Sequence, residues 1–220
     1  MNNELIVMLT YNDVTVKNAS QIFEECKQSN VKFWGFKDSG IPLDEMKKLF
    51  SYMKENNKTT VLEVVEYTEE EGLKGAKIAL ECGCDILMGT VFFDSINKFC
   101  KENGLKYMPF VGNVYNRPSV LEGTVESMIS QANDYLSKGV YGLDLLAYRY
   151  VGDVESLIKR LSDEINAPIC IAGSINSYER LDYIKTCSPW AFTIGSGFFD
   201  NNFDGSFLEQ IDKVYKYVKL

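Results

Sequence analysis

Two stretches near the end of the chain share one device. ICIAGSINS (Ile169–Ser177) and FTIGSGFF (Phe192–Phe199) each run from apolar residues into a Gly-Ser pair, Gly173-Ser174 and Gly195-Ser196. Glycine lets backbone N–H groups approach an anion closely, and serine adds a hydroxyl donor. A second set of residues is ionisable and set within apolar runs: Lys37 ends FWGFK, Glu63 interrupts TTVLEVVEY and Asp144 interrupts VYGLDLLAY. A carboxylate in such a run is costly to bury unless something pairs it or uses it. The chain has no histidine. Imidazole bases and Ser-His or Cys-His nucleophiles are therefore excluded, and proton transfer falls to Asp, Glu, Lys, Tyr or Cys. Lys37 admits two uses. Desolvated and lowered in pKa, it would attack a carbonyl and form a Schiff base; left charged, it would stabilise an enediolate or position a carbonyl. Glu63 or Asp144 would then exchange the proton. A structural ion pair between Lys37 and Glu63 is the competing reading of the same residues.

The elements that must position these residues form an alternation. Apolar runs of strand length lie at 5–11, 33–37, 59–67, 85–90, 106–113, 140–148, 168–174 and 191–196. They are short and often β-branched, as strands buried on both faces should be. Between them lie segments of helical period, such as LDEMKKLFSYMKE, with Leu43, Met46, Leu49, Phe50 and Met53 on one stripe. Several follow Asp, Ser or Thr, and three end at Gly83, Gly104 and Gly139, as helix caps predict. Eight such units close a parallel sheet into an α/β fold, a (β/α)8 TIM barrel, here expected as a single domain over residues 1–220. A doubly wound sheet would carry an opening glycine fingerprint, and TYNDVTV stands where it would be.

In this register the Gly-Ser pairs follow strands seven and eight. Loops there often hold a phosphate in (β/α)8 barrels, together with a short extra helix, for which NNFDGS (201–206) leaves room. Gly173, Ser174, Gly195 and Ser196 are the expected phosphate-binding residues. The catalytic residues expected at the strand ends are Lys37, Glu63 and Asp144. Strands two and three are neighbours, so Lys37 and Glu63 should meet near the mouth, with Glu66 turned away. Other polar groups at strand ends or just beyond are Thr10 to Asp13, Asp38, Asn113, Arg117, Tyr148 and Arg149. For the two arginines the readings are a solvated charge or a second anion contact.

With the IAGSI and TIGSGFF motifs, the whole chain resembles the phosphate-binding TIM barrels of the ribulose-phosphate-binding type. That group includes histidine and tryptophan biosynthesis isomerases, hexulose-phosphate synthase and sugar-phosphate epimerases. They commonly carry paired glycines after strand seven, where this chain has Ala172-Gly173-Ser174. The Asp-x-Lys-x-x-Asp strand of the hexulose-phosphate synthase group is absent, so the resemblance stops above any member family. FKDSG is similar to a string in class I aldolases of the dihydrodipicolinate synthase type, where it lies much later in the barrel.

The resemblance implies an enzyme of small phosphorylated, sugar-phosphate-like metabolites, an isomerase, epimerase or aldolase/lyase of carbohydrate metabolism. The alternative is a non-catalytic barrel that senses a phosphometabolite, similar to glycerol-responsive antiterminators. Composition narrows the partners. A net charge of −8 and a pI near 4.8 disfavour nucleic acid and anionic membranes. No window reads as a membrane span, and MNNELIVML lacks the basic region and cleavage signature of a signal peptide. The six cysteines form no CxxC, which points to free thiols in the cytoplasm rather than zinc ligands or disulfides. No metal or cofactor is expected. The oligomeric state is open, a homo-oligomer included.

Overall fold

The computed structural model describes residues 3–219. Its apolar runs condense into eight parallel strands: β1 (Glu4–Met8), β2 (Phe33–Lys37), β3 (Thr59–Val64), β4 (Ile86–Gly89), β5 (Lys106–Met108), β6 (Leu143–Leu145), β7 (Ile169–Ile171) and β8 (Ala191–Ile194). The order β6-β7-β8-β1-β2-β3-β4-β5 is the chain order wrapped into a ring. Its seam lies between β5 and β6. There the N–H groups of Tyr141 and Asp144 donate to the carbonyls of Tyr107 and Pro109 at 2.9 Å, and Phe110 bridges Asp144. The chain is an α/β protein with a (β/α)8 TIM barrel fold.

Helices α1 (Ala19–Cys26), α2 (Leu43–Glu55), α3 (Glu69–Glu81), α4 (Asp94–Glu102), α5 (Val125–Ser137), α6 (Val154–Glu164), α7 (Tyr178–Cys187), the single turn α8 (Ser196–Phe199) and α9 (Phe207–Lys219) complete the fold. Thr68, Thr124, Asp153 and Ser177 cap their helices by accepting the N–H three residues on. Gly83, Gly104 and Gly139 follow helix ends at φ +69°, +68° and +86°, a conformation that favours glycine.

Alternation along each strand divides the core in two. One face of the sheet packs on the helices through residues such as Leu5, Val7, Trp34, Phe36 and Leu62. The other fills the barrel with Ile6, Met8, Phe33, Val61, Ile86, Met88, Met108, Cys170 and Ala191. Trp190 and Tyr141 pack against the base of this plug, and Trp190 meets the Phe33 ring edge-on at 5.4 Å. The interior is thus apolar below, with Asp144 of β6 the buried carboxyl among its residues, and polar toward the carboxyl ends of the strands. Gly35 keeps β2 and β3 close, because a Cβ there would lie 2.5 Å from the Val61 carbonyl oxygen. Gly35→Ala is expected to cost about 1–3 kcal/mol by overpacking. Urea denaturation reads this directly, and a loss under about 0.5 kcal/mol would show that the strands part freely.

Several runs end earlier than their apolar residues do. The first stops at Met8. Thr10–Tyr11 pairs instead with Val14–Thr15 in a hairpin whose turn residues, Asn12 and Asp13, take the left-handed φ values of 49° and 64°. The run at 106–113 leaves the barrel after Met108, and Asn113–Tyr115 pairs with Val120–Glu122 in a second hairpin. Phe110 and Val111, beyond the last strand residue, are buried all the same, which is why they read as strand. In the run at 140–148 only Leu143–Leu145 is strand, and Ala147–Arg149 forms a 3-10 turn. The extra helical turn is not at 201–206 but at Ser196–Phe199. Asn201 and Asp204 have φ values of 56° and 55°, which break any helix there.

Candidate active site

At the carboxyl ends of the strands a cavity of about 150 Å3 opens. Lys37, Glu63, Gly173, Ser174, Gly195 and Ser196 all line it, although they come from four different strands and turns. Asp144 does not. Its side chain is wholly buried and lines no part of the cavity.

Lys37 and Glu63 are direct partners in the β2–β3 register. Their facing side chains bring Nζ to 3.9 Å from Glu63 Oε2. A closer partner comes from the first hairpin: Lys37 Nζ donates to Asp13 Oδ1 at 2.8 Å. Thr15 ties that hairpin to β2, since its hydroxyl donates to the Lys37 carbonyl and accepts from the Lys37 N–H. Burial works to lower the Lys37 pKa, but the charge of Glu63 and the hydrogen bond and charge of Asp13 outweigh it and hold the pKa above its ordinary value. Burial likewise works against ionisation of Asp13. The hydrogen bond and charge of Lys37, with Arg149 and Arg117 adding, bring its pKa below normal.

Asp144 comes from β6, where it pairs in register with Cys170 of β7. Neither carboxyl oxygen has a hydrogen-bond partner. Burial first, then the Glu63 charge, push its pKa far up, and Lys37 offsets this only in part. Burial and the nearby Glu63 charge thus both favour the protonated form of Asp144. The Cys170 thiol is pushed up by burial and by the same two carboxyls. Asp38 lies outside the cavity, and burial together with Glu66 raises it to about 6. Glu66 points away from Glu63 and pairs with Arg117 at 2.9 Å.

The two Gly-Ser turns lie side by side because β7 and β8 are adjacent. Gly173 has φ +111°, and a Cβ there would press on the Tyr148 backbone at 3.2 Å. Gly195 breaks β8 at φ −121° and ψ −90°, and Ser196 starts α8. Among the described residues no protein acceptor takes the N–H groups of Ser174, Ser196 and Gly197. Asp13 and Arg149 also line the cavity; Arg149 was a candidate second anion contact, whereas Asp13 stood among the strand-end polar groups with no chemical role. The signal for Asp13 was the Asn-Asp pair between TY and VT, a short hairpin turn in β-prone residues.

The protein is a (β/α)8 barrel whose polar groups converge at the carboxyl ends of its strands. In fold it is similar to orotidine 5'-phosphate decarboxylase from Pyrococcus horikoshii OT3, with 12% identity, coverage of 98% of this chain and 99% of that one, and a TM-score of 0.71. N-(5'-phosphoribosyl)anthranilate isomerase from Pyrococcus furiosus aligns with 13% identity, 97% and 98% coverage and a TM-score of 0.64. The glycerol uptake operon antiterminator regulatory protein from Listeria monocytogenes aligns with 11% identity, 89% and 93% coverage and a TM-score of 0.60. These likenesses show a fold, and that fold serves enzymes and a regulator alike. No family model matches the chain, and no curated protein matches it in sequence. Among the described residues no helix is long and apolar enough to cross a membrane.

Proposed function

We propose that this protein is an enzyme of small phosphorylated metabolites, which moves a proton beside a carbonyl in isomerisation, epimerisation or aldol/lyase chemistry. The observation that carries this reading is the shared cavity: two turns with free N–H donors at one side, a lysine–glutamate pair at the other. The phosphate is held by the N–H groups and hydroxyls of the Gly173-Ser174 and Gly195-Ser196 turns. The raised pKa of Lys37 favours an ammonium that stabilises a developing oxyanion over an amine that forms a Schiff base. Glu63 takes the proton from the carbon beside the carbonyl and returns it. Asp144 is the protonated member of the carboxyl pair. By keeping its proton it spares Glu63 a second negative charge nearby.

Incubation with phosphorylated aldehydes and ketones in deuterium oxide tests this by NMR. Exchange of a carbon-bound proton, or turnover, is the expected result. Replacing both Ser174 and Ser196 by Ala should weaken inorganic phosphate binding about tenfold or more, because hydrogen bonds to a charged group are lost. Unchanged phosphate affinity would remove the turns from the site.

The sensor is the second reading. The observation favouring it is that Asp13 already engages the Lys37 ammonium at 2.8 Å, as a purely structural ion pair would. Phosphate binding without exchange or turnover of any compound in the panel would assign the barrel to that class.

A further inference from the structure

Arginine is scarce in this chain, at positions 117, 149, 160 and 180 only. Arg160 lies on α6 and pairs with Glu126 and Glu164. The other three stand at the mouth of the barrel. Arg117 pairs with Glu66. Arg180 donates to the Ser174 carbonyl and lies 4.5 Å from the Tyr148 ring centroid. The Arg149 guanidinium, by contrast, makes no hydrogen bond or ion pair with any described residue. Yet it is half-buried and lines the cavity.

An unpaired, half-buried guanidinium is an anomaly in a protein of net charge −8. Its position makes the anomaly informative. Arg149 belongs to the 3-10 turn that follows β6 and lines the same cavity as Asp13, Lys37 and Glu63, with no ion pair to either carboxylate. Lys37 already has Asp13 and Glu63 as counter-charges, whereas Arg149 lines the cavity with none among the described residues. The planar fork of arginine matches a carboxylate bidentately, which a lysine does not. A cavity of about 150 Å3 holds a short carbon chain with a phosphate at one end, and leaves a carboxylate as the compact choice for the other.

We propose that the ligand is a phosphorylated carboxylic acid: its phosphate occupies the β7 and β8 turns, and its carboxylate is held by Arg149 beside the Lys37–Glu63 pair. This rests on the phosphate reading of the turns and specifies the substrate class.

The test uses a matched pair, 3-phosphoglycerate and glycerol 3-phosphate, which differ in a carboxylate against a hydroxymethyl group. Titration calorimetry on the wild-type protein is expected to show 3-phosphoglycerate binding at least about tenfold tighter. Arg149→Gln should remove that preference while leaving glycerol 3-phosphate within about threefold, and Arg149→Lys, which keeps charge without the fork, should restore only part of it. Circular dichroism melting checks that the variants fold. The proposal is overturned by no preference in the wild type, by a preference that survives in Arg149→Gln, or by equal weakening of both ligands, which would make Arg149 a phosphate contact. If neither compound nor inorganic phosphate binds the wild type, the phosphate reading itself fails. If glycerol 3-phosphate binds without a preference, only the carboxylate falls.

Discussion

Lys37→Met should lower turnover by about 100- to 1,000-fold or more while leaving the fold intact, once a substrate has been found by isotope exchange. The estimate is that for removing one preorganised group from a developing oxyanion. Methionine keeps much of the stem that packs beside Glu63 and deletes the ammonium. Phosphate affinity should stay near the wild-type value, because the turns at β7 and β8 lie across the cavity. Glu63→Gln should abolish isotope exchange in the same way, since an amide cannot take the proton. Borohydride added with substrate should trap nothing at Lys37. A trapped adduct there would restore the Schiff-base route despite the raised pKa, and full activity in Lys37→Met would reduce the lysine to an ion-pair partner.

The second large effect concerns Asp144. Its folded pKa is raised, so its contribution to stability is full below the ordinary aspartate value and is lost as pH rises toward the folded value. In that window, upward from about pH 4, the unfolded chain ionises at this residue while the buried carboxyl keeps its proton. Wild-type stability should therefore fall with pH by up to about 1.4 kcal/mol per unit from this group. Asp144→Asn has no such group, so its stability relative to wild type should rise over the same range. Denaturant titrations of both proteins at pH 4, 5, 6 and 7 read the difference. If Asp144→Asn loses ground instead as pH rises, Asp144 is ionised and paired, and the neutral-acid reading is wrong.

The barrel was legible because its evidence is redundant: eight alternations, caps at their starts and glycines at three helix ends all agree. The approach of Lys37 to Glu63 was legible for a simpler reason, since adjacent parallel strands place inward residues side by side. The depth of Asp144 was not. Whether an inward carboxyl lines a cavity or is sealed off from it depends on strand stagger, and no single strand records that. Asp13 escaped a role because it reaches the cavity from a connection rather than a strand. Phe110 and Val111 lengthened the apparent fifth strand, because burial by a connection leaves the same apolar signature as burial in a sheet.

The Lys37 ammonium has its nearest counter-charge on Asp13, at the tip of a hairpin turned by two residues, and not on a barrel wall. Scaffold and tuning are thereby separated. Every rung of the ring can remain as it is while a change at Asn12 or Asp13 resets how firmly the lysine is held. A barrel of this design can acquire a different reactivity through one surface turn, without the core having to be repacked.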